Sequence, residues 1–264
     1  ARMCGKLGVE HILISADIRK KRKNIQKNVA AWLKRPDLGT IPLFMAGDKQ
    51  YFYHANRLMN ENNIRLSILG ENLLETTNFK TGFCGVKPTF TKGHTYSLKT
   101  QDKIRMMAYY GKQYLLNPAF INSSLLDTLD AFKSYYVIKH NNINLFNYIK
   151  WDEKNIIDLL TKDYDWETDP GTNSTWRIGD GTAAFYNFIY YMVAGFTEND
   201  TFRSNQVREG DLTRQVALEL AMQENAPRWD SIQWYLRTIS IDFDYAVNTI
   251  LHIKSMYNDK RIFY

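Results

Sequence analysis

The stretch "TWRIGDGTAAFYN", residues 175–187, sets two glycines, an arginine and an aspartate directly before a long apolar run. The run is apolar all round, which reads as a buried helix. A helix start leaves backbone N–H groups unpaired, and a glycine there lets a ligand come close. Such a terminus is suited to anions, and Arg177 could close on one as a bidentate donor. The same residues also read as an N-cap, Asp180, beside a surface ion-pair partner, Arg177. A second polar cluster, "ENDTFRSNQVREG", packs Arg203, Ser204, Asn205, Gln206 and Arg208 into six positions. "GENLLE" places Glu71, Asn72 and Glu75 just after an apolar run, where carboxylates commonly hold Mg²⁺ through phosphate oxygens.

These groups need elements to carry them. Residues 11–15 are a short β-branched run, expected as a buried strand. Ile25, Val29, Trp32 and Leu33 recur at helical spacing, predicting a helix over 20–33. Residues 43–62 read as a second long helix and 64–70 as a strand ending in Gly70. Strand, helix, helix, strand implies α/β architecture with a parallel sheet and crossover helices. In such sheets ligands bind at the carboxyl ends of strands, where "SAD" (15–17) and "GENLLETTNF" (70–79) both fall. Residues 81–99 are expected as a loop or lid, 101–116 and 123–139 as helices, and 145–149 as another strand. Asp152 caps a helix carrying Ile156, Leu159 and Leu160. From about residue 166 the chain is expected to be helical.

Composition narrows the class. The chain has 264 residues, 44% of them hydrophobic, ample for a core. Its two cysteines, Cys4 and Cys84, lie far apart, giving neither a disulfide framework nor metal-ligand spacing. A reducing, cytoplasmic setting fits best. No apolar stretch reaches the ~18 residues of a membrane span, and the five histidines show no zinc-enzyme spacing. The net charge is +6, of which Arg19, Lys20, Lys21, Arg22 and Lys23 supply five. That is a local cluster rather than a general field, so nucleic acid is not the expected partner, although "RKKRK" keeps an anion- or RNA-binding module open. The opening "ARMCGKLG" reads as the last turns of a helix stopped by a left-handed Gly8, so further chain is expected upstream.

Taken together, "KNVAAWLKRPDLGTIPLFMAGDKQ", "GENLLETTNFKTGFCG", "YIKWDE", "WRIGDGTAAFYNFIYY", "AGFTENDTFRSNQVREG" and "TRQVALE" resemble the N-acetyl sugar amidotransferases of lipopolysaccharide and surface-polysaccharide biosynthesis. These belong to the PP-loop ATP pyrophosphatases, the adenine nucleotide alpha hydrolase superfamily. The stretches run in order over most of the chain. The family's Ser-Gly-Gly-x-Asp-Ser loop is absent, and its place would be upstream of Ala1. The resemblance implies a partial Rossmann-like parallel sheet of PP-loop type over 1–165, with a helical insertion near 100–140. A mainly helical region, 166–264, would follow. It implies an ATP-dependent enzyme that adenylylates the acetamido oxygen of a nucleotide-linked sugar, releasing pyrophosphate. Ammonia from a glutaminase subunit or domain then gives an acetamidino group and AMP.

On that resemblance Asn72, Lys150 and Asp180 serve catalysis, Asn72 by orienting a leaving oxygen. Gly70, Arg177, Gly179 and Gly181 bind ATP phosphates. Arg203, Ser204, Asn205 and Arg208 bind the sugar nucleotide. Glu71 and Glu75 hold Mg²⁺. Lys150 and Glu153 resemble the family's Lys-x-x-Glu step after a late strand. As a substrate ligand, Arg203 would be replaceable by alanine with little effect on melting temperature. An asparagine-synthetase-like or tRNA-thiolating relative is the alternative within the superfamily; thiolation would call on Cys84.

Overall fold

Asp17 starts the first long helix by satisfying two of its orphan amides: its Oδ1 accepts from Arg19 N at 2.9 Å and Lys20 N at 3.1 Å. The computed structural model describes residues 2–45, 47, 49–75, 77–87, 98–138, 141–167 and 181–257. The chain opens with α1 (Arg2–Leu7), closed by Gly8 at φ 64°. Helix α2 (Ile18–Lys34) follows and buries Asn28, Val29, Trp32 and Leu33 on one face. The second long helix expected over 43–62 is divided. A 3₁₀ segment (Leu38–Met45) containing Pro42 comes first, then α3 (Gln50–Glu61). Pro42 lacks the N–H a helix interior needs, and Gly47 adopts φ 82°, so the helical ladder cannot run through.

Strand β1 (Ser67–Leu69) pairs in parallel with β2 (Asn142–Asn144), with Ser67 opposite Asn142 and Leu69 opposite Asn144. This two-stranded sheet is smaller than the sequence pattern suggests. Two expectations are corrected. Residues 11–15 form no strand, being exposed and outside the sheet. Residues 145–149 are not a strand either. The Asn144 side chain accepts from Phe146 N at 3.3 Å and bends the chain out of β2 into a 3₁₀ turn, Leu145–Asn147. After β1, a short 3₁₀ turn (Leu73–Glu75) leads to α4 (Asn78–Gly82). Then come α5 (Thr100–Leu116) and α6 (Leu125–Phe132), the latter prolonged by a π turn, Lys133–Val137. Asp152 caps α7 (Glu153–Asp163), its Oδ1 accepting from Asn155 N at 3.1 Å.

The remaining elements are helical: α8 (Thr182–Ala194), α9 (Glu198–Glu209), α10 (Arg214–Glu224), α11 (Trp229–Thr238) and α12 (Phe243–Leu251). The molecule is therefore mainly helical with one small parallel sheet. Helix α8 is buried over most of its surface, with Ala183, Asn187 and Tyr191 half-buried along one side. Phe185 stacks on Phe44 at 5.9 Å, and Phe44 meets Trp32 edge-on at 5.6 Å. Ile189 and Leu236 complete this cluster, in which residues before and after position 165 share one core. Each such side chain contributes about 1.5–3 kcal/mol by leaving water. Among the described residues no helix is long and apolar enough to cross a membrane.

Candidate functional site

Helix α9 is where the polar stretches meet. Thr197 and Asp200 form a capping box at its start, and Gly210 at φ 79° ends it. Its sequence has no apolar stripe beyond Phe202 and Val207, so long polar side chains anchor it instead. Arg203 is 4% exposed. Its Nη1 donates to Glu153 Oε2 at 2.8 Å and Gln206 Oε1 at 2.7 Å, and its Nε to Glu224 Oε2 at 2.9 Å. A second Nη2 contact joins Glu224 Oε1. Gln206 Nε2 also donates to Glu153 Oε2, at 3.0 Å. One guanidinium thus ties the start of α7 and the end of α10 to α9. The Trp151 ring meets Phe202 edge-on at 5.7 Å beside it.

On another face of α9, Asn205 Nδ2 donates to Leu74 O at 2.6 Å, fastening the Leu73–Glu75 turn. Arg208 donates to Asn205 Oδ1 at 2.7 Å and to Ser204 Oγ at 3.0 Å and is exposed. The four residues assigned to substrate therefore divide: Arg203 faces Glu153 and Glu224, while Ser204, Asn205 and Arg208 form a chain reaching the "GENLLE" turn.

At the start of α9, Glu198 is buried. It forms an ion pair with Lys80 of α4 and accepts from Tyr186 Oη at 2.7 Å. Lys80 Nζ also lies 4.5 Å from the centre of the Tyr186 ring. Nearby, Tyr190 Oη is buried and makes no hydrogen bond among the described residues. Burial first, and then the charge of Glu198, hold that phenol well above its usual range. Lys80, Tyr186, Glu198 and Glu224 escape sequence reading. An acid in the first turn of a helix is ordinarily a solvated dipole partner, and only burial distinguishes Glu198 from that.

A cleft of about 900 Å³ opens between the start of α7, α8, α9 and the α10–α11 connection. Lys150, Trp151, Asn187, Phe188, Arg203 and Arg228 are among its lining groups. Lys150 rests at its mouth, 2.5 Å from Asp211 Oδ1. The hydrogen bond to Asp211, and then its charge, raise the Lys150 ammonium above the ordinary lysine range. Gly70, Glu71, Asn72 and Glu75 do not line this cleft. They stand at the carboxyl end of β1. There Glu71 Oε1 accepts from Tyr51 Oη at 3.0 Å, and Asn72 Oδ1 accepts from Leu74 N at 3.0 Å. Asn72 Nδ2 is buried with no acceptor among the described residues. A side chain at Gly70 would meet nothing within 4 Å, so the backbone there is open to an approaching group. Among the described residues no three His, Cys, Asp or Glu side chains gather as a metal-ligand set.

Arg177, Gly179 and Asp180 lie outside the described residues. Gly181 is described and has a structural reason to be glycine. It is buried at φ 79°, and a Cβ there would stand 2.6 Å from Ser231 O and 2.8 Å from Tyr235 Cβ. The space expected for a ligand is filled by α11.

Cys84 is buried, its Sγ near Gly39 O, Lys80 O and Tyr110 Oη at 3.6–3.8 Å. Burial pushes the thiol up to about 11, against a lowering by the Tyr110 hydrogen bond and with a lesser rise from the charge of Asp37. A thiolate is the reactive form, so Cys84 stays inert at neutral pH. Timed labelling with a disulfide reagent at pH 8 is expected to modify half-exposed Cys4 quickly and Cys84 only after denaturation. Rapid labelling of both thiols in the native protein would show that Cys84 is accessible after all.

Compared with protein-family models, curated proteins and solved structures, the chain matches none.

Proposed function

We propose that this chain is the substrate-binding part of an ATP-dependent amidotransferase acting on the N-acetyl group of a nucleotide-linked sugar. The two-stranded parallel sheet would belong to a PP-loop-type domain. One observation carries the reading. Two of the stretches that resemble the N-acetyl sugar amidotransferases, residues 70–85 and 148–153, are clasped to a third, that of α9, through Asn205–Leu74, Lys80–Glu198 and Arg203–Glu153. A cleft of a size that suits a nucleotide sugar lies beside them.

The chemistry divides over two faces of α9. At the carboxyl end of β1, Gly70 leaves room for phosphate, and the unpaired Asn72 Nδ2 offers a donor to an oxygen. Glu71 and Glu75 would hold Mg²⁺, which when bound neutralises phosphate charge. The acetamido oxygen attacks the α-phosphorus of ATP and pyrophosphate leaves. Ammonia then adds to the activated carbon and AMP departs with the oxygen. In the cleft, Lys150 and Arg228 would face the diphosphate and Trp151 the sugar. Phosphoryl and adenylyl transfer depend chiefly on positioning and charge neutralisation, which these groups supply. Glutamine-derived ammonia would come from a glutaminase subunit or domain. A thiolating activity is disfavoured by the buried, protonated Cys84.

The test joins the chain to a PP-loop-bearing segment and supplies ATP, Mg²⁺, an ammonium salt and a uridine-diphosphate-linked N-acetylhexosamine. Mass spectrometry is expected to find an acetamidino sugar in amounts matching AMP, and the 264-residue chain alone is expected to leave ATP intact. Asn72→Ala should lower AMP formation by roughly 100-fold, the scale of losing one donor to developing charge. ADP in place of AMP, or no amidine, would defeat the reading.

A further inference from the structure

Residues 10–16 and the sheet each carry an unmet need. Ile12, Leu13 and Ile14 are 57%, 75% and 38% exposed, although they form the most β-branched run of the N-terminal part. Among the described residues none of 10–16 makes a backbone–backbone hydrogen bond. A continuous apolar run of this kind is the signature of a strand buried on both faces of a parallel sheet. Strand β1 has the complementary deficit. Among the described residues it pairs only with β2, and Ile64, Leu66 and Ile68, on and before it, are 51%, 44% and 62% exposed. A two-stranded sheet is marginal by itself, and an open apolar edge is a template for another strand. The outer edge of β2 is a poorer candidate, because Asn142 and Asn144 flank its only apolar residue.

We propose that these two features meet between copies: residues 11–15 of one chain add as a parallel strand to the free edge of β1 in a second copy. The chain itself carries both halves of the complementarity, an unpaired strand and an unpaired edge. Exchange between two copies satisfies both at once through one two-fold contact. The parallel sense follows from the β1–β2 pairing and from the apolar character of both faces. That sense has a chemical result. The end of the added strand, Ser15 to Asp17, comes beside Gly70 and Asn72 of the other copy. The Arg19–Lys23 cluster follows it, bringing positive charge toward the carboxyl end of β1.

Size-exclusion chromatography with light scattering on the 264-residue chain tests this across a concentration series. The expected result is a dimer that dissociates on dilution. Leu13→Pro removes a ladder donor from the added strand, and Ile68→Lys charges the receiving edge. Both residues are exposed, so melting curves recorded at dilutions where every form is monomeric should match wild type. Each change should raise the dimer dissociation constant by roughly tenfold or more. An equal mixture of the two variants should associate better than either alone, because one of the two strand additions is restored. A monomer at every concentration, or a dimer indifferent to both changes, would overturn the proposal. So would the absence of a dimer together with capture of the segment by anionic phospholipid vesicles, since a lipid surface would then be what covers it.

Discussion

Arg203→Ala is expected to lower stability by about 3–5 kcal/mol, the cost of removing one partner from a buried ion pair. At roughly 2–4 °C per kcal/mol for a chain of this size, the melting temperature should fall by about 10 °C. The reason is local. Arg203 is almost fully buried and holds Glu153 and Glu224, with Gln206 completing the set. Its loss leaves two carboxylates facing one another with no cation between them. Arg203→Lys should recover little, because an ammonium cannot reproduce the planar fork that serves both partners. A neutral replacement of the whole set, Arg203→Met with Glu153→Gln and Glu224→Gln, should recover much of the loss. Calorimetric melting decides it. An unchanged melting temperature for Arg203→Ala would restore the expectation that this residue serves ligand alone.

Gly181→Ala should cost about 3 kcal/mol, and the effect should be independent of any ligand. Two causes add. A side chain at φ 79° is strained by roughly 1–2 kcal/mol. The new methyl would also press on the Ser231 carbonyl and the Tyr235 Cβ, neither of which can rotate away. Helices α8 and α11 would have to part, at an overpacking cost of about 1–3 kcal/mol. Gly70→Ala is the matched control. A methyl there meets nothing within 4 Å, so stability should stay within about 0.5 kcal/mol of wild type. Chemical denaturation measures both variants. If Gly181→Ala melts like wild type while Gly70→Ala does not, the roles drawn from packing are reversed.

The helices were largely legible because their signals are local. Asp152 caps where expected, Gly8 stops α1, and the apolar run before Gly195 is the buried α8. Two boundaries were missed for equally local reasons, Pro42 with Gly47 in one case and the Asn144 turn in the other. The expected strand at 11–15 failed differently: strand formation needs a neighbour, and a single segment does not reveal whether one is present. The candidate site was legible as a set of polar stretches but not as a geometry. Nothing in "ENDTFRSNQVREG" states that Arg203 turns toward Glu153 and Asn205 toward Leu74, because that division depends on which elements pack on each side of α9. Glu198 and Lys80 were invisible for the same reason, being separated by more than a hundred positions.

The way α9 is fastened has an evolutionary corollary. Its neighbours are gripped by directional polar contacts whose partners lie on α4, α7, α10 and the turn after β1. Apolar packing tolerates piecemeal exchange if volume is kept, whereas a shared guanidinium does not. Substitutions at 153, 203, 206 and 224 should therefore be strongly non-additive, and drift at these positions should be confined to concerted replacements.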